Sequence, residues 1–216
     1  MTQQKQQHLE HGQPALVGKT VSLVPLSAGA HAASLYAHLG GEENLWRWTY
    51  MMSAGWRDGR ECEEACEAWS KGTDPQFYAV VKQSSGEAVG MMSYLSVVPA
   101  HRRIEIGSVI LGDAAKGSRV GTEAYALLVE SAFALGYLRV EWKANAFNAR
   151  SLKAARRLGK HMVVKGRERD TAYFSITDEE WPAVKHGFDA WLADDNFDGQ
   201  GVQKRKLEEC RGESKN

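Results

Sequence analysis

Between residues 105 and 128 the chain places Glu105, Lys116, Gly117, Ser118, Arg119, Gly121 and Thr122 in a stretch whose pattern changes from strand to helix. Alternating Ile104 and Ile106 with the apolar run Val109, Ile110 and Leu111 predict a strand over 103–111. A glycine-bearing loop over 112–117 follows, then a helix over 120–135 closed by Gly136. A helix that starts straight from such a loop leaves its first N–H groups without intrahelical acceptors. The positive end of its dipole sits over the same spot. That arrangement binds anions. Lys116 and Arg119 add charge, and Gly117 and Gly121 allow close backbone approach, so a pyrophosphate suits the site. The same glycines would equally serve an ordinary surface turn, and the residues alone leave both readings open.

A second basic stretch lies downstream. From 139 to 169 there are ten Lys or Arg against two Glu, and Arg150, Lys153 and Arg157 share one face of a helix expected over 148–158. A phosphate-bearing ligand or a nucleic acid would fit that charge. The whole chain, with 27 basic and 27 acidic residues, has no net charge, which argues against a surface built to hold nucleic acid. Trp46, Trp48, Tyr50, Met51, Met52 and Trp56 crowd into a dozen residues, as either the wall of a ligand pocket or core packing. Three cysteines give no even disulfide framework, and a reducing cytoplasm suits them. Cys62 and Cys66 share a helix face without a matching Cys or His pair, so no metal site is expected and both read as half-buried helix residues. No apolar run approaches the ~20 residues of a membrane span.

Positioning these groups requires a mixed set of elements. Residues 1–13 read as a disordered leader, 14–193 as one domain and 194–216 as a charged tail without regular structure. A strand from Gly18 stops at Pro25, and Ser27 caps a helix through Leu39. Residues 45–56 read as a loop with short helical turns, followed by a helix over 60–71. Strands over 77–81 and 88–97 precede the one ending at Leu111. Then come the helix over 120–135, a strand over 138–144, the helix capped by Asn148, strand pieces over 162–176 turning at 165–167, and a helix from Asp178 to Leu192. This order predicts an α+β (α/β) domain with a mixed, mostly antiparallel sheet flanked by helices.

The segment 105–128 resembles motif A of the GNAT acetyltransferases, with Lys116 at its first position, Arg119 at its first glycine position and Gly121 at its last. Residues 136–143, 148–159, 161–176 and 180–182 are similar, in order, to the branch containing the ribosomal-protein N-terminal acetyltransferases. The resemblance implies a GNAT fold and transfer of an acetyl group from acetyl-CoA to a primary amine, either a protein N-terminus or a small molecule. It implies that acetyl-CoA lies between two splayed strands ending near Leu111 and Ala144, with Ile110, Leu111 and Asn145 among its contacts. The pyrophosphate would rest on Lys116, Gly117, Ser118, Arg119, Val120, Gly121 and Thr122, and the pantetheine arm on Asn148 near Ser151. Glu105 is then the candidate base and Ser151 the candidate acid, while Trp46, Trp48 and Tyr94 wall the acceptor pocket. A monomer or homodimer is expected. One departure stands out: Lys160 alone joins Gly159 to His161 where the family has an aromatic and about eight more residues. A shortened strand follows from this, with an acyl-CoA-binding protein without turnover as the alternative function.

Overall fold

The computed structural model describes residues 14–145, 148, 160–164 and 167–211. Its strands are β1 (Leu16–Val17), β2 (Val21–Pro25), β3 (Gln76–Lys82), β4 (Ala88–Val98), β5 (Arg103–Leu111), β6 (Arg139–Asn145), β7 (Lys160–Val164) and β8 (Arg167–Thr177). They form one sheet in the order β1-β2-β3-β4-β5-β6-β8-β7. Neighbours are antiparallel except β5 and β6, which run parallel. The mixed, mostly antiparallel sheet expected from the element order is therefore present. Its β7 edge is short, with Lys160 opposite Asp170 and Val164 opposite Arg167, as the missing residues after Gly159 imply.

Two apolar layers sandwich the sheet. Helix α3 (Arg119–Ala134) buries Val120, Ala124, Leu128 and Ala132 against Ile104, Ile106, Met92 and Tyr94. On the opposite face α1 (Ala28–Leu39) and α2 (Gly59–Ser70) bury Leu35, Leu39, Cys62 and Cys66 with Ala79, Met91 and Ile110. Each helix meets the sheet along a stripe of residues three or four apart, the geometry of a one-sided helix. Ser27 is the N-cap of α1, but its hydroxyl makes no cap; its N–H donates to Nδ1 of buried His31 at 3.1 Å. Asp58 does cap α2, accepting from the Glu61 N–H at 2.9 Å. Gly136 ends α3 at φ +89°, a conformation glycine adopts without strain. The Trp-rich stretch opens with a 3₁₀ helix, Glu42–Trp48, in keeping with the short helical turns expected there.

Two expectations need correction. Cys62 and Cys66 are fully rather than half buried; a hydrogen bond with Cys66, and then burial, push the Cys62 thiol well above its ordinary range. Helix α4 (Trp181–Leu192) is followed by ordered chain where the charge predicted none. A 3₁₀ turn (Asp194–Asn196), a bridge between Phe197 and Gln203, and helix α5 (Leu207–Cys210) dock on α4. A few anchors outweigh the polar composition: Phe197 packs edge-on to Trp191 at 5.2 Å, and buried Asn196 donates to the Trp191 carbonyl at 2.8 Å and accepts from the Arg205 N–H at 2.9 Å.

Candidate active site

Strands β5 and β6 are paired only at Arg103–Arg139, Ile104–Val140 and Glu105–Glu141. Beyond that, β5 continues to Leu111 along β4 while β6 continues to Asn145 along β8. Among the described residues no further register pair joins them, so the sheet opens into a notch. A bulge accompanies the opening. Ser93 faces Gly107 but Met91 faces Ile110, so β5 has one extra residue, at Ser108 with φ +48°. The bulge reverses the alternation: Ile104 and Ile106 face the α3 layer, and so do Val109 and Leu111, while Ile110 joins the α1–α2 layer.

The chain leaving β5 folds tightly over 112–118. The Gly112 carbonyl accepts from the Ala115 and Lys116 N–H groups at 3.0 and 2.9 Å. Gly117 takes φ +65°, and Ser118 becomes the N-cap of α3. Its hydroxyl turns back to donate to the Ala115 carbonyl at 2.8 Å, so no side chain caps the helix. The first-turn N–H groups of Arg119, Val120 and Gly121 are thereby left for an external acceptor. Gly121 permits the fold, since a Cβ there would lie 2.4 Å from the Ala115 oxygen. Thr122 donates its hydroxyl to Ser118 within the turn at 3.2 Å. Lys116 extends over the Trp46 ring, its Nζ 4.9 Å from the centroid, which joins the loop to the aromatic segment.

At the apex of the notch lies a charged pair. Glu105 is buried and accepts a hydrogen bond and ion pair from Lys143. Glu105 pairs in register with Glu141, so Lys143, two residues farther along β6, reaches back across the start of the opening. Its ammonium also lies 5.4 Å from the ring of half-exposed Tyr173 on β8, directly opposite in register. Lys143 is a residue that the sequence reading passed over. Its signal was the alternation of Val140, Trp142 and Ala144 with Glu141 and Lys143, which puts two charges on the face opposite α3. At the far end of β6 the Asn148 N–H donates to the Asn145 carbonyl at 2.9 Å. Ser151, and the helix expected to continue from Asn148, lie outside the described residues, as does the turn at 165–166.

Three of the expected site side chains have other roles. Tyr94 is fully buried, its hydroxyl donating to the Leu128 carbonyl, and burial raises its phenol far above the ordinary value. It is a core residue joining β4 to α3, with no access to an acceptor. Trp48 is buried edge-on against Trp56 at 4.6 Å, with its indole N–H donating to the Leu39 carbonyl at 2.9 Å. It anchors the aromatic segment, whereas Trp46, Tyr50 and Met52 are exposed. Arg119 keeps its backbone at the helix start, but its guanidinium turns to the Leu192 carbonyl and Asp194, both at 2.5 Å, and lies over Phe197. A carboxylate and an aromatic ring at close range hold it more firmly than open solvent does. Of the basic pair expected on the loop, Lys116 therefore remains.

A parallel strand pair that splays beside an uncapped helix start makes a cleft with an anion-binding helix terminus at its side. Residues 21–161 match the family described as the acetyltransferase (GNAT) domain. A GCN5-related N-acetyltransferase from Brucella melitensis superposes with a TM-score of 0.87 at 37% identity, over 94% of this chain and 96% of its own. A protein described as a GNAT-family acetyltransferase from Chromobacterium violaceum gives 0.70 at 36% identity, over 78% and 88%. A ribosomal-protein-serine acetyltransferase from Vibrio cholerae, so described, gives 0.63 at 19% identity over 76% and 97%, a likeness of fold alone. No curated protein sequence matches. The chain belongs to the GNAT acetyltransferase family. Among the described residues no group of three His, Cys, Asp or Glu is placed to hold a metal, and no helix is long and apolar enough to cross a membrane.

Proposed function

We propose that the protein transfers the acetyl group of acetyl-CoA to a primary amine by direct attack in a ternary complex, in the cytoplasm. The observation that carries this reading is the notch between β5 and β6 opening onto a helix start that no side chain caps. Free N–H donors, the helix dipole and Lys116 suit a pyrophosphate, and Gly121 lets the loop close on it. The pantetheine arm would then run along the notch past Ile110, Leu111, Asn145 and Asn148. The acceptor nitrogen attacks the thioester carbonyl, the C–S bond breaks, and the thiolate leaves with a proton. Holding both partners in one cleft removes the entropic cost of their encounter. Glu105, at the apex, is the group to take the ammonium proton, directly or through water. Ser151 is the proposed proton donor to the thiolate. The acceptor is a small-molecule amine or a protein N-terminus, reached past Trp46.

Calorimetric titration with acetyl-CoA, with desulfo-CoA as control, tests the donor. Micromolar binding that Lys116→Ala weakens about tenfold is expected, followed by thiol release in the presence of an amine panel. A folded sample that binds neither nucleotide refutes the proposal. Tight binding without turnover on any amine selects instead the acyl-CoA-binding reading, which the five-residue edge strand β7 favours.

A further inference from the structure

An ion pair with one buried and one exposed partner ties the aromatic segment to the loop at the helix start. Arg47, in the 3₁₀ helix Glu42–Trp48, has a side chain only 8% exposed, whereas its partner Asp113 is 78% exposed. Each of the three guanidinium nitrogens of Arg47 donates a hydrogen bond. Its Nε donates to Asn44 Oδ1 at 2.7 Å, and Nη1 and Nη2 donate to Asp113 Oδ1 and Oδ2 at 3.0 and 2.5 Å. Asn44 in turn donates to the Gly40 carbonyl at 2.8 Å, so the arginine is held from the α1 side. Two parallel N–H···O contacts fix a carboxylate in orientation as well as position.

Asp113 follows Gly112, the residue whose carbonyl closes the loop by accepting from Ala115 and Lys116. The clamp therefore grips the root of the loop. The Trp46 ring, beside Arg47, lies under the Lys116 ammonium at the other end of the same turn. An ammonium over an indole gains far less than one on a phosphate oxygen, so a bound phosphate draws Lys116 away from the ring.

We propose that Arg47 is a positioning residue for the phosphate loop, and that Trp46 loses its Lys116 contact when nucleotide binds, so that cofactor occupancy alters the aromatic wall beside the acceptor. This rests on reading the loop as a phosphate cradle. CoA is the probe, titrated into the full-length chain by calorimetry and by tryptophan emission. Asp113→Asn, a change at an exposed residue, and Arg47→Ala are each expected to weaken CoA binding about tenfold. The double variant should bind no worse than the weaker single. Trp46→Phe should keep binding within about threefold of wild type and lose most of the CoA-induced emission change. Wild-type affinity in folded Asp113→Asn overturns the clamp, and an emission change that survives Trp46→Phe overturns the link to the wall. Absence of CoA binding by the wild type refutes the phosphate-cradle reading beneath both.

Discussion

At the scale of single residues, the Glu105–Lys143 pair is unequal, because Glu105 is 6% exposed in its side chain and Lys143 is 23% exposed. Removing the cation strands a carboxylate in the sheet, whereas removing the carboxylate leaves an ammonium that water still reaches. Deleting one partner of a buried pair costs about 3–5 kcal/mol, and the partial exposure here trims that. Lys143→Met is thus expected to lower stability by roughly 2–3 kcal/mol, and Glu105→Gln by about 1 kcal/mol, in urea unfolding at pH 7. The order is the test: an equal loss in both variants would mean that the pair shares its desolvation evenly. Transfer to any amine the protein accepts should fall about a hundredfold in Glu105→Gln, the span of a single general base. An unchanged rate would remove Glu105 from the chemistry. Tyr94 marks the opposite case, a side chain whose alternation in β4 fits a cleft wall and a core equally well until α3 is placed over it.

At the scale of elements, the turn from β5 into α3 depends on a missing methyl group. A Cβ at Gly121 would press on the Ala115 backbone oxygen at 2.4 Å, and a backbone atom cannot move aside as a flexible side chain can. Gly121→Ala should therefore push residues 112–118 away from the helix start and weaken CoA binding tenfold or more in a titration, with a fold still intact by circular dichroism. Affinity equal to the wild type would show that the loop is not the phosphate contact. This turn was legible in the sequence because strand pattern, glycines and helix pattern follow one another within twenty residues. The bulge at Ser108 was not, since serine carries no signal for a φ of +48° and only the pairing with β4 demands the extra residue. The diversion of Arg119 was equally hidden, for Asp194 and Phe197 lie some 75 residues away in a segment whose charge suggested no structure. Local pattern reads local elements; the partners of a long side chain are set by tertiary contacts.

At the scale of the whole molecule, α3 is where distant parts of the chain meet. Its buried Glu123 accepts from the Lys19 and Thr20 N–H groups at 2.6 and 2.8 Å, fastening the turn between β1 and β2. Its first residue holds the C-terminal segment through Asp194, whose carboxyl the Arg119 hydrogen bond keeps below the usual carboxylate range. Lys185 of α4 reaches Glu130 at 3.0 Å, and Phe133 stacks on Trp181 at 5.2 Å. A ligand that binds the N-terminus of this helix therefore binds a structure that exists only when the domain is folded, and its free energy adds to the stability of the whole. Nucleotide at a hundred times its dissociation constant contributes about 2.7 kcal/mol. For a chain of this length each kcal/mol raises the midpoint by roughly 2–4 °C. CoA at that excess should lift the thermal midpoint by about 5–10 °C, read by circular dichroism at 222 nm. The same concentration should produce a shift of only a few degrees in Lys116→Ala, whose weaker affinity lowers the degree of saturation. Saturating CoA that leaves the midpoint where it was, despite heat released in the titration, would mean that the helix start melts separately from the sheet, against the way α3 ties both ends of the chain together.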